Sequence, residues 1–162
     1  MISITSAVPE DPAVIHEIQM RAFEEEGRLS DHRQIPPLIE AVESIKLHIR
    51  TQTVLTAKDG QRIVGSARGI VEETVCTIRG VFVDPSCQGQ GIGAALLHAV
   101  ELRHPDVERF ELNTNTLVYG NVAFYENCGY KVIELTKYTE KIVLAQMSKP
   151  NPARAELSLL VD

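Results

Sequence analysis

A β-run that halts at a proline, crosses a glycine-rich loop and re-emerges as an amphipathic helix leaves few folds open to a chain. That run is Val75 to Arg103. Val75, Thr77, Ile78, Val81, Phe82 and Val83 read as a strand. Asp84-Pro85 ends it, because proline offers no N–H to a ladder. Beyond Ser86-Cys87-Gln88-Gly89-Gln90-Gly91-Ile92-Gly93, the residues Ile92, Leu96, Ala99, Val100 and Arg103 recur at helical spacing. A loop of this kind is a device for holding phosphate. The first-turn amides of a helix have no intrahelical partners, the helix dipole adds positive potential, and glycines let the backbone approach a ligand closely.

Three phosphate loops are open to it. The P-loop pattern fails, since no Lys-Ser or Lys-Thr closes the loop. The dinucleotide pattern can be threaded through Gly89, Gly91 and Ala94, with Glu108 or Glu111 at ribose distance. That pattern usually opens a longer βαβ unit. The third pattern, Q/R-x-x-G-x-G/A, is met by Gln88, Gly91 and Gly93 behind Val81-Phe82-Val83-Asp84-Pro85. It closely resembles the coenzyme A signature of the GNAT superfamily of acyl-CoA-dependent N-acetyltransferases.

The 162 residues suit one domain with a proper core, and 44% apolar with 23% charged residues is ordinary for a globular protein. No stretch reads as a membrane span, and Met1-Ile2-Ser3-Ile4 lacks a basic leader, so a cytoplasmic protein is expected. Cys76, Cys87 and Cys128 are odd in number and show no C-x-x-C spacing, which fits a reducing compartment. The five histidines, His16, His32, His48, His98 and His104, show no metal spacing, and no metal is expected. A net charge of −6 argues against nucleic acid. It also means that bulk charge would not draw in an anionic cofactor, so local backbone donors must hold it.

Taken in order, Ile2 to Val8 reads as a strand. Asp11 and Pro12 then open a helix striped by Val14, Ile15, Ile18 and Ala22, which Glu24-Glu25-Glu26-Gly27 closes. Pro36-Pro37 restart the chain into one helix marked by Leu38, Val42, Ile45 and Ile49. Thr53 to Lys58 and Ile63 to Val71 form a hairpin about Asp59-Gly60, and Glu72-Glu73-Thr74 turns into the central strand. Val107 to Thr114 follows as a strand parallel to the central one, since a helix connects them. Gly120 to Asn127 is a short helix stopped by Gly129, and Tyr130 to Leu135 and Tyr138 to Met147 are the last strands. The domain is expected to span 1–147. Residues 148–162 are read as a C-terminal tail whose apolar end, Leu157-Ser158-Leu159-Leu160-Val161, packs on this chain or a partner.

The segment from Asn121 through Phe124-Tyr125-Glu126-Asn127-Cys128-Gly129-Tyr130 resembles the other GNAT signature, aromatic-Tyr-Glu-x-x-Gly-aromatic. The resemblance implies a mixed α/β GNAT-type fold, a central sheet of about seven strands flanked by four helices, with the central strands splayed to admit pantetheine. It implies acetyl transfer from acetyl-CoA to a small-molecule or peptide amine by direct attack, with Tyr125 as general acid. Backbone groups of Val81, Phe82 and Val83 would pair with the pantetheine. Amides of Gln88, Gly89, Gln90, Gly91, Ile92, Gly93 and Ala94 would hold the diphosphate. The family often carries an asparagine seven positions before the tyrosine, where this chain has Val118; Asn121, four before, would share a helix face with Tyr125 and reach the pantetheine arm.

An amine is protonated near neutrality and needs a base. Glu111 on the following strand is the leading candidate, with Glu72 and Glu73 behind it. Glu24 to Glu26 read as a solvated helix end, with an acceptor-facing role as the alternative. Glu24, Glu25, Glu26, Asp31, Glu40 and Glu43, offset in part by Arg21, Arg28, Arg33 and Lys46, suggest an acidic rim favouring a cationic acceptor. A homodimer is among the expectations, nucleic acid and membrane are not. The alternative readings are an acyl-CoA-sensing or partner-binding module on the same fold and a dinucleotide-binding oxidoreductase.

Overall fold

The computed structural model describes residues 1–154 and Leu160. The tail expectation at Leu157, Ser158, Leu159 and Val161 therefore lies outside the described residues. Seven strands form one sheet: β1 Ile2–Ser6, β2 Thr53–Asp59, β3 Arg62–Glu72, β4 Val75–Val83, β5 Arg109–Asn115, β6 Lys131–Lys137 and β7 Val143–Pro150, in the order β1-β2-β3-β4-β5-β7-β6. Only β4 and β5 run parallel; every other pair is antiparallel. The helices are α1 Pro12–Ser30, α2 Pro36–Ile39, α3 Val42–Thr51, α4 Ile92–Leu102 and α5 Asn121–Asn127. This is the mixed α/β architecture that the sequence implies. No helix among the described residues is long and apolar enough to cross a membrane.

Two apolar clusters sandwich the sheet. Leu96, Leu97 and Val100 of α4 pack with Leu55, Val64, Ile78, Phe110, Leu112 and Met147 on one face. Ile15 and Ile18 of α1 and Ile45 of α3 pack with Val54, Ile63 and Phe82 on the other. A strand alternates its faces, yet Ile78 and Phe82 fall on opposite sides. The cause is a bulge. Ser66 pairs with Phe82 and Arg68 with Arg79, so Gly80 and Val81 together face Ala67. Gly80 sits at φ +58, and a Cβ there would come within 3.2 Å of the Arg68 guanidinium. The bulge thus turns Val81 and Val83 toward α4 while Phe82 meets α1.

Four expectations are corrected. Helix α1 does not stop at Gly27, which is buried inside it, but runs on to Ser30 and ends at Asp31 in a left-handed cap. Asp11 precedes α1 but does not cap it with its side chain; its carboxylate accepts the backbone N–H of Val8 at 2.8 Å. The single helix expected after Pro36 is two, because Glu40 and Ala41 are extended between α2 and α3. Glu40 has a reason to leave the helix. Its two oxygens accept Arg68 Nη2 and Nη1 at 2.8 Å each, together with Gln19 at 3.1 Å and Ser44 at 3.0 Å. Arg68 Nη1 also lies 2.6 Å from His48 Nδ1. Since that arginine can only donate, Nδ1 must accept and His48 is neutral, so its 3.3 Å approach to Glu40 is not an ion pair. Strand β7 continues past Met147 to Pro150, and Asn151 beyond it is buried, its amide donating to the carbonyls of His104, Pro105 and Val107.

Candidate active site

The parallel ladder between β4 and β5 is short. It pairs Val75 with Arg109, Cys76 with Phe110 and Thr77 with Glu111, and stops there. Strand β4 continues to Val83 and β5 to Asn115. Past Thr77 and Glu111 the strands therefore stand apart with their inward-facing N–H and C=O groups unpaired by each other, which is the splay anticipated above.

At the end of β4, Asp84 is buried and organises the loop. Its carboxylate accepts Ser86 N at 3.0 Å and Ser86 Oγ at 2.8 Å, and receives Arg21 at 2.8 Å and Arg62 at 3.3 Å. The Ser86 amide first, then Arg21, holds this acid well below the ordinary carboxylate range. Residues Pro85–Cys87 make a 3₁₀ turn, and Gln88 turns back so that its amide reaches Val83 O at 3.4 Å. Gly91 precedes α4 at φ +78, with open space where a Cβ would stand. A left-handed residue at that point directs successive amides into one concavity, and a β-branched side chain there would be a strained outlier.

The first turn of α4 touches α5. A Cβ at Gly93 would lie 3.4 Å from the Phe124 ring, so the two helices meet beside the opening. Next to Phe124, Tyr125 is partly buried, with its ring edge-on to Phe124 at 4.9 Å and to Tyr130 at 6.1 Å. Burial, then the Cys128 and Glu26 side chains, push its phenol well above the usual tyrosine value. It is a protonated group throughout the neutral range. Asn121 opens α5 one turn before Tyr125, with Gly120 rather than itself in the cap position.

On the opposite face α1 crosses the gap. Phe23 packs edge-on to Phe82 of β4 at 5.9 Å. About two turns on, Ser30 Oγ accepts Asn115 Nδ2 of β5 at 2.9 Å. Between these anchors Glu26 is half-buried. Burial raises its carboxyl above the ordinary value, and the Asn115 amide partly offsets that shift.

The sequence candidates separate accordingly. Val83 at the end of β4 and Phe124 of α5 flank Gly93 at the start of α4, which brings the end of β4, the loop and α5 together, with Tyr125 next to Phe124 and Asn121 at the start of α5. Glu111 stands where the strands part, with its carboxylate held by Arg109 Nε at 2.8 Å. Glu72 and Glu73 lie in the turn before β4, at the end of that strand remote from the loop. The acidic rim is largely neutralised in place: Glu24 pairs with Arg33, Glu25 with Arg28, Asp31 with Lys141, Glu40 with Arg68 and Glu43 with Lys46. Of those six acids, Glu26 alone has no cation in reach among the described residues. Sequence reasoning read Glu26 with Glu24 and Glu25 as a solvated helix end, with an acceptor-facing role as the alternative, and passed over Asn115. The signal was there, since Ile15, Ile18 and Ala22 continue at helical spacing onto residue 26, provided the helix is not ended at Gly27. A cavity of about 140 Å³ beside α4, lined by Ala94, Leu97, His98, Glu101, Cys128 and Lys149, takes no wall from β4 or β5. Among the described residues no cluster of three His, Cys, Asp or Glu side chains is placed to hold a metal.

A parted parallel strand pair, a left-handed glycine loop at a helix start and a half-buried tyrosine beside it match an acyl-CoA-dependent transferase fold. The chain belongs to the GNAT family: the model of the acetyltransferase (GNAT) domain matches residues 50–132. The ribosomal-protein-S18-alanine N-acetyltransferase of Escherichia coli shares the fold at TM-score 0.77 and 19% identity, over 93% of this chain and 94% of that one. So does the PaiA N-acetyltransferase of Thermoplasma acidophilum, solved with coenzyme A, at TM-score 0.77 and 16% identity, over 93% and 99%. A phosphinothricin acetyltransferase of Sinorhizobium meliloti, solved with acetyl-CoA, aligns at TM-score 0.73 and 17% identity, over 93% and 88%.

Proposed function

We propose that the protein transfers the acetyl group of acetyl-CoA to a primary amine of a small molecule or protein, by direct attack of the amine on the thioester. The observation that carries this is the parting of β4 and β5 after Thr77 and Glu111, in line with the Gly91 loop and the protonated Tyr125. In this reading the unpaired edge of β4 at Val81 to Val83 takes up the pantetheine amides, and the amides of Gln88 to Ala94 take the diphosphate. Asn121 steadies the arm from the Tyr125 side. Tyr125 donates its proton to the departing sulfur. Two of the structural relatives were solved with coenzyme A or acetyl-CoA, which supports the same cosubstrate here.

The direct test offers acetyl-CoA with a panel of amines: an alanine-terminated peptide, a lysine-bearing peptide, spermidine and free amino acids. Amine-dependent release of free thiol is expected. Coenzyme A binding without turnover on any amine would move the protein to the sensing or partner-binding reading.

The loop assignment has its own expected result. Saturating acetyl-CoA should raise the melting temperature of the parent by linkage, and Gly91→Val should abolish that rise, because a branched Cβ enters the concavity at φ +78. A folded Gly91→Val protein with an undiminished rise would place the diphosphate elsewhere.

A further inference from the structure

We propose that Glu26 is the carboxylate that takes the proton of the acceptor amine, hung from α1 over the opening between β4 and β5. The assignment rests on the acetyl-transfer reading and names a residue for the step which that reading leaves open.

Three observations place it. First, Phe23, Glu26 and Ser30 fall within one arc of α1. Phe23 is fixed on Phe82 of β4 and Ser30 on Asn115 of β5, both beyond the last β4–β5 pair, so the residue between them looks down on the gap. Second, the buried Asn115 side chain that donates to Ser30 ties this turn of α1 to β5 beside Glu26, and the Asn115 amide and the Tyr125 phenol both couple electrostatically to the Glu26 carboxyl. Third, the neighbouring acids of α1 and the following turn are each occupied by a cation, whereas Glu26 keeps its charge unpaired. Glu111, by contrast, has Arg109 on its carboxylate and sits at the closed end of the opening.

The step balances without any further reagent. The amine nitrogen attacks the thioester carbonyl, the C–N bond forms and the C–S bond breaks. The surplus proton on nitrogen goes to Glu26, and the sulfur leaves with the proton of Tyr125. Once the products depart, the proton on Glu26 returns to the phenolate through solvent, so both groups end as they began. Burial suits Glu26 to the work, because a carboxyl raised above its ordinary value holds a proton more readily than a solvated one. The groups coupled to the Glu26 carboxyl are Asn115 of β5 and Tyr125 of α5.

The experiment compares Glu26→Gln, Glu26→Asp and Glu111→Gln with the parent, using whichever panel amine releases thiol fastest. Glu26→Gln keeps the shape and removes the charge. It should lower kcat/KM for the amine by roughly 10²-fold or more, with the acetyl-CoA melting shift unchanged. Glu26→Asp should fall between the two. The distinguishing readout is the acid limb of kcat/KM for the amine. In the parent both the amine and Glu26 must lose a proton, so log kcat/KM should rise with a slope approaching two. In Glu26→Gln only the amine remains, and the slope should fall to one, which a purely structural loss would not produce. A Glu26→Gln protein within about threefold of the parent and with an unchanged slope would overturn the assignment. So would a Glu111→Gln protein that alone shows the loss. A parent with no turnover on any amine would instead sink the acetyl-transfer reading, and Glu26 with it.

Discussion

Replacing Tyr125 with phenylalanine is expected to lower kcat by about 10²–10⁴-fold, the usual worth of a positioned general acid, while KM for acetyl-CoA changes little. The change removes one oxygen. Burial first, then the Cys128 and Glu26 side chains, raises that phenol, so its shift comes from its surroundings and not from a hydrogen-bond partner that the substitution would strand among the described residues. The ring contacts with Phe124 and Tyr130 are kept. Because the phenol is raised above 10.0 in the folded protein, the alkaline limb of the parent's profile should lie beyond the ordinary tyrosine range and be absent in the variant. Steady-state kinetics under conditions where thiol release limits turnover will show it. An unchanged kcat there would make Tyr125 a packing residue of α5 and leave the leaving group to solvent.

The second large effect is on stability. Glu40→Gln should destabilise the fold by about 3–5 kcal/mol, because the buried Arg68 guanidinium loses its counter-charge. For a chain of this length that is roughly a 10 °C drop in melting temperature. Replacing both partners by apolar residues, Glu40→Leu with Arg68→Met, should recover much of the loss, since neither charge is then stranded. The same pair sets an acid window. Burial alone would raise the Glu40 carboxyl, but Arg68, then Gln19 and Ser44, bring it from 4.5 down to about 2. Its folded value is the lower one, so its stabilisation is complete above about pH 4.5 and is lost as the pH falls toward about 2. Glu40→Gln should flatten the stability profile over that interval. A variant as stable as the parent, with the same acid profile, would show that the cluster is hydrated and energetically neutral.

Much of the fold was legible from local pattern. The stop at Asp84-Pro85, the left-handed positions at Gly89 and Gly91 and the spacing of Ile92, Leu96 and Val100 are all properties of near neighbours in sequence. What could not be read were the places where a distant partner decides. Glu40 leaves helical geometry for an arginine 28 residues further on. Gly27 sits inside α1 because a Cβ there would strike Leu38, a packing that only the folded chain reveals. The bulge at Gly80 and Val81 exists as a mismatch between two strands and has no signature in either alone. For the same reason the tyrosine and the loop could be recognised from short motifs, whereas Glu26 needed the length of α1 and the position of Asn115.

The early end of the β4–β5 ladder has a consequence for solubility. A sheet normally exposes two borders, and each is an invitation to a foreign strand. This one has two more in its middle. They are safe because both faces of the gap are roofed, by α1 above and by α4 with α5 below. A polypeptide entering there would have to carry side chains into both roofs at every second residue. A slim chain bearing amides and little else would not. The shielding that keeps these inner borders from aggregation thus also acts as a size filter, and the protein can leave hydrogen-bonding backbone unused in its interior without collecting strands from its neighbours.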